Sequence, residues 1–88
     1  MSTGHNYVNR HGTVTRYNPG LRRADVLLSA DLDVGQRIHI VGTSTDLEQA
    51  VESLKVGNRD VTSANSGATV SIGVTSPVQA GDALHKES

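Results

Sequence analysis

Cysteine is absent from this 88-residue chain. Its absence removes a disulfide framework, a thiolate zinc site and a cysteine nucleophile together. Tryptophan and phenylalanine are missing too, and the only aromatic residues are Tyr7 and Tyr17. A core therefore has to be built from Val, Leu, Ile and Ala, a palette weighted toward pleated, half-buried surfaces. Excess charge of one sign is lacking as well: eight basic against nine acidic side chains leave a net charge of −1. Such a balance argues against a dedicated nucleic-acid binder. No run of apolar residues is long enough to span a bilayer. The opening MSTGHNYVNR has no apolar stretch of the signal-peptide kind. Small secreted domains usually depend on disulfides, so a chain without cysteine is expected to be cytoplasmic.

What is present points to β structure. Nine glycines against two prolines imply many tight turns. At this length the chain has room for one domain and no second core. Residues 1–10 are polar and aperiodic and read as a flexible lead-in; residues 11–86 read as a single β domain. The first strand runs from His11 to Asn18 and stops at Asn18-Pro19-Gly20, a strong turn signal. Ala24 to Ala30 follows, its Val26-Leu27-Leu28 run suited to a strand covered on both sides. In Gln36 to Val41, Ile38 and Ile40 face one way and Arg37, His39 and Val41 the other. After Gly67, residues Val70, Ile72 and Val74 alternate with Thr69, Ser71 and Gly73. A last strand spans Asp82 to Lys86. The expected core is Val14, Val26, Leu28, Ile38, Ile40, Val51, Val70, Ile72, Val74 and Leu84.

One segment carries the opposite signal. From Thr45 to Val56, residues Leu47, Ala50, Val51 and Leu54 recur at helical spacing. Thr45 and Glu48 fit a capping box, and Gly57 supplies a stop. Local propensity alone makes this a helix of about three turns.

The corners and alternations taken together resemble the β-barrel second domain of elongation factor Tu and other translational GTPases. They resemble still more closely small stand-alone elongation-factor-like proteins made of that barrel alone. The residues that carry the resemblance are Gly12-Thr13-Val14, the corner Val34-Gly35, Ile38-His39-Ile40 and GTSTDLEQAVES from Gly42 to Ser53. Val61, Ala64, Gly67, Val70, Ile72, Val74 and the corner Gly81-Asp82 complete it. Gln36 and Ala68 stand where that pattern has corner aspartates. The resemblance implies an all-β fold, a small closed six-stranded barrel of the translation-protein type with at most one short helical turn. It also implies that Asp46 to Val56 is extended, because the barrel needs a strand there to remove exposed sheet edges. No binding residue transfers: the chain has no phosphate-binding G-x-x-x-x-G-K-[ST] loop, and Val74-Thr75-Ser76 replaces the arginine-bearing segment of the elongation-factor pocket.

No catalytic set is recognisable. There is no G-x-S-x-G elbow and no dinucleotide-type glycine loop. Asp31 and Asp33 read as turn residues, and Glu48 and Glu52 as a solvated face. The four histidines, His5, His11, His39 and His85, are not at metal-ligand spacing and read as exposed and unpaired; no metal and no cofactor is expected. Charge is uneven along the chain, however. Residues 1–37 hold five Arg and three Asp, net +2, whereas residues 38–88 hold three basic and six acidic groups, net −3. Arg16, Tyr17, Arg22 and Arg23 are the candidate nucleic-acid contacts. The chain thus reads as a non-catalytic binding or adaptor module of the elongation-factor-like barrel type, with a protein or RNA partner. Alternatives are an RNA- or ribosome-contacting translation accessory, and an accessory barrel serving a peptidase-like or RNA-modifying enzyme on another chain. The same barrel type closes some collagenase-like peptidase-family proteins. A homo-oligomer that completes the small aliphatic core is a further reading.

Overall fold

The structure, a computed structural model, describes residues 10–87. The predicted lead-in over residues 1–10 therefore lies, apart from Arg10, outside the described residues. Ten strands and no helix make up the described chain: β1 (Gly12–Asn18), β2 (Arg23–Leu28), β3 (Leu32–Asp33), β4 (Arg37–Val41), β5 (Asp46–Ala50), β6 (Leu54–Val56), β7 (Arg59–Val61), β8 (Ser63–Ala64), β9 (Thr69–Gly73) and β10 (Ala83–Lys86). Eight form one antiparallel sheet in the order β5-β4-β10-β1-β2-β9-β6-β7, and β3 pairs with β8 apart from it. Nothing among the described residues is a helix long and apolar enough to cross a membrane.

Local chemistry accounts for the turns. Between β1 and β2, Pro19 cannot donate to a ladder, and the Leu21 amide donates instead to Asn18 Oδ1 at 3.2 Å. Between β6 and β7, Val56 pairs with Arg59, leaving the two-residue loop Gly57-Asn58. Gly57 has φ 64°, the left-handed conformation that the first position of such a hairpin loop requires. The glycine that looks like a helix stop is thus a hairpin corner.

Alternation places one face of the curled sheet inward. Every residue of the expected core lies in the buried cluster, together with Ala24, Leu32, Leu47, Leu54, Ala64 and Val78. The covered-on-both-sides reading of β2 fails at Leu27, which is 45% exposed. Only the Val26 and Leu28 side of that strand meets the core, because among the described residues no layer packs over its other face.

The expectation of a closed six-stranded barrel needs correction. The sheet has eight strands in an open order and curls into a half-barrel. The reason lies in the ambiguous segment, which is extended as expected but is not one strand. Asp46–Ala50 pairs with β4, and the pairing continues one step further through the Val51 amide donating to Gln36 O at 2.9 Å. Leu54–Val56 pairs instead with β9 and β7, at the opposite end of the strand order. Residues 51–53 carry the chain from one ladder to the other. Leu47 and Val51 are buried in the first phase and Leu54 in the second. The odd step between Val51 and Leu54 breaks the period of two. Two strand phases joined this way give the spacing 47, 51, 54, which a sequence reading takes for a helical stripe.

Ile40 is fully buried, so Ile40→Ala is expected to cost about 2–5 kcal/mol in urea denaturation. Leu27→Ala should cost no more than about 1 kcal/mol, since its side chain is already half in water. A loss of several kcal/mol at Leu27 would show that something covers that face.

Candidate functional site

The four candidate contact residues all sit at the β1–β2 hairpin, but the structure divides them. Arg23 is committed to the fold. Its guanidinium donates from Nε to Ser71 Oγ at 2.7 Å, from Nη2 to Ser71 O at 2.9 Å and from Nη1 to Ser53 Oγ at 3.1 Å. It can reach Ser53 because its cross-strand partner is Gly73, which presents no side chain in the way. Tyr17 is partly buried and packs against the core. Arg16 and Arg22 remain exposed, and neither guanidinium has a hydrogen bond or ion pair among the described residues. The hairpin therefore offers two available cations, where the sequence suggested three.

Arg22 is also the one described non-glycine residue with positive φ, at 54°. For an L residue this left-handed conformation is disfavoured by roughly 1–2 kcal/mol. It is held by the Val74 amide, which donates to Arg22 O at 3.0 Å. Arg22 consequently stands between two shallow grooves. One, of about 220 Å³, is lined by Gln49, Glu52, Ser53 and Thr75 as well as Arg22. The other, of about 250 Å³, is lined by Tyr17, Val74, Thr75, Ser76 and Pro77 beside it. Leu21, 68% exposed, supplies an apolar tip next to them.

Gln49 is the residue here that sequence reasoning missed. Its amide donates from Nε2 to Gly73 O at 2.8 Å, and its Oε1 accepts from the Thr75 amide at 2.9 Å. One planar amide thus supplies the donor and acceptor that a backbone peptide would offer to the end of β9. Nothing in the local sequence could have marked it, because Gly73 and Thr75 lie 24 and 26 residues away.

A second polar cluster lies on the outer face of β4, β5 and the segment after β10. His39 was expected to be exposed and unpaired; its side chain is only 12% exposed and is hydrogen-bonded to Asp46 Oδ1 through Nε2. Glu48 Oε2 lies 4.0 Å from the same nitrogen, and Glu87 Oε2 lies 3.9 Å from Nδ1. His85, also expected to be exposed, is 8% exposed and pairs directly with His39 across β10 and β4. The turn role of Asp31 fits its contact, since Oδ1 accepts from the Ser66 amide.

Adjacent arginines should behave differently when replaced. Arg23→Met removes three charge-assisted bonds and is expected to cost about 1.5–3 kcal/mol. Arg22→Gly removes a cation but relieves the left-handed strain, and should change stability by no more than about 1 kcal/mol. Denaturant titration of both variants checks the division of roles.

Comparison with known proteins corrects the family resemblance. No family model matches the chain, and no curated protein does. Solved structures do. The C-terminal domain of a U32 peptidase-family protein from Geobacillus thermoleovorans superposes with a TM-score of 0.86 at 18% identity, covering 98% of this chain and 100% of that one. Its selenomethionine variant gives 0.84 at 18% identity, over 89% and 99%. The expected kinship with the second domain of elongation factor Tu is overturned by these neighbours. Corner glycines and alternating V-x-I-x-V strands are demanded by any small curled sheet, so they did not discriminate. At this identity the likeness is one of fold, and the fold is that of the C-terminal domain of a U32 peptidase-family protein.

Proposed function

We propose that this chain is a non-catalytic accessory β domain that works with a peptidase-like enzyme, carried on another chain or elsewhere in a longer protein. The observation that carries the reading is the match, over essentially the whole of both chains, to a domain belonging to a U32 peptidase-family protein. A domain matched over its whole length is a better guide than a shared corner motif, because it compares the path of the whole chain. The fold does not dictate the role, and the surface has to supply it. The hairpin surface suits contact: Leu21 offers apolar area, while Arg16 and Arg22 offer cations whose side chains have no partner among the described residues. An exposed apolar tip ringed by arginine is the composition that protein interfaces favour.

The test is direct association. The purified chain and a U32 peptidase-family protein from the same cell are expected to co-elute in size-exclusion chromatography at concentrations well above the micromolar range. The double variant Leu21→Asp/Arg22→Glu should elute separately while keeping its β spectrum. Separate elution of the unmodified chain, or co-purification with RNA alone, would overturn the reading.

A further inference from the structure

We propose that the outer face of β4 and β5 is a binding site for one divalent transition-metal ion, with His39, Asp46 and Glu48 as ligands and Glu87 as the residue that positions the imidazole. This site is separate from the hairpin surface and does not depend on the peptidase-like partner.

The register assembles it. His39 is directly opposite Glu48 in the β4–β5 ladder, and Asp46 is two residues before Glu48 on the same face. On the other side of β4, the Glu87 amide donates to Arg37 O at 2.9 Å, which brings the Glu87 carboxylate alongside the ring. Donor atoms of His39, Glu48 and Glu87 all lie within 4.8 Å of one another, and Asp46, outside that group, joins through its contact with His39 Nε2. The two ring nitrogens face different groups. Nε2 points toward Asp46 and Glu48, while Nδ1 points toward Glu87. One nitrogen can ligate while the other faces a carboxylate at ion-pair distance, and a carboxylate on that side is what orients metal-binding histidines elsewhere. Glu87 is in turn held by Arg37, whose Nε lies 3.5 Å from Oε1.

Charge supplies a second, independent argument. Three carboxylates surround one imidazole, and Arg37 is in contact with one of them, Glu87. Carboxylates gathered this closely repel one another unless a positive charge stands among them. A metal ion on Nε2 would replace the hydrogen bond between Nε2 and Asp46 Oδ1. The nitrogen and oxygen would then have to separate by somewhat less than about 1 Å, to allow metal–ligand bonds of roughly 2.0–2.2 Å on each side. Asp46 is free to retreat, because its side chain is 80% exposed. The ring itself, 12% exposed, is held in place by its neighbours and need not move. One imidazole nitrogen with two carboxylates suits zinc or manganese better than magnesium, which prefers all-oxygen sites and keeps its waters.

Isothermal titration of the tag-free chain with zinc chloride, manganese chloride and magnesium chloride tests the site. Zinc or manganese is expected to bind one ion per chain with saturation, and magnesium to bind far more weakly. Amide shifts in a heteronuclear NMR spectrum should concentrate on residues 37–41 and 46–50. The double variant Asp46→Asn/Glu48→Gln should lose saturable binding, and His39→Gln should do the same. Glu87→Gln should weaken binding by about 10-fold or more and raise its sensitivity to pH, as loss of an orienting carboxylate does. Two results would overturn the proposal. One is absence of saturable zinc or manganese binding by the unmodified chain. The other is binding that survives undiminished in the Asp46→Asn/Glu48→Gln variant, which would place the ion away from the β5 carboxylates. The circular dichroism spectrum of each variant establishes that the sheet is intact, and all these substitutions lie on the outer face, away from the core.

Discussion

Everything in this molecule hangs on one segment having to serve both ends of the sheet. Residues 46–51 complete the ladder beside β4, and residues 54–56 complete the ladder beside β9. A β edge left bare exposes a row of unpaired amides and carbonyls, and the described residues include no helix with which to cover one. The continuous chain from β5 to β6 draws the two ends of the strand order together without a shared ladder between them. Gln49 reinforces the approach with its side-chain amide, and Arg23 does so from β2 through Ser53 and Ser71. The core then gathers Leu47, Val51 and Leu54 from both phases of the same segment.

That constraint also distributes chemistry over the surface. Along β5, alternate residues serve different purposes, as a period of two dictates. Leu47 and Gln49 turn toward the core and the junction with β9, whereas Asp46 and Glu48 turn outward beside His39. The hairpin surface around Arg22 has a comparable origin. The Val74 amide, just past the end of β9, grips the Arg22 carbonyl and holds the residue in its left-handed conformation. Backbone strain of this kind persists only where surrounding contacts over-determine it. Both surfaces are therefore consequences of how the sheet is joined, not decorations on it.

Much of the fold was legible in the residue order. Alternation in β4 and β9 named the inward residues, because a sheet with one buried face imposes apolar and polar residues in turn. Asn18-Pro19-Gly20 marked the first hairpin for a similar local reason. The resemblance to a translation-factor barrel misled in kind, since its corner glycines and short alternating strands belong to many small curled sheets. It still steered the segment from Glu48 to Val56 away from helix, against a capping box and an apolar stripe. The closed barrel that it implied was not found. The strand count rose because segment 46–56 splits in two and because the short pairs β6–β7 and β3–β8 carry too few residues to show a period.

Composition and alternation were enough to establish an all-β domain with an aliphatic core and no cysteine chemistry, since burial on one face leaves its imprint on nearest neighbours in the chain. The site residues depended on contacts that no local pattern records. Arg16, Tyr17, Arg22 and Arg23 look alike as a basic, aromatic cluster, yet Arg23 is drawn into the fold by serines 30 and 48 positions away. His39 looks like a solitary outward histidine until the register sets Glu48 opposite it and the chain after β10 brings Glu87 to its other nitrogen. Which strand lies beside which is decided by the global solution to edge pairing and core packing. Only the tertiary structure could therefore say which side chains meet, and which are left facing solvent.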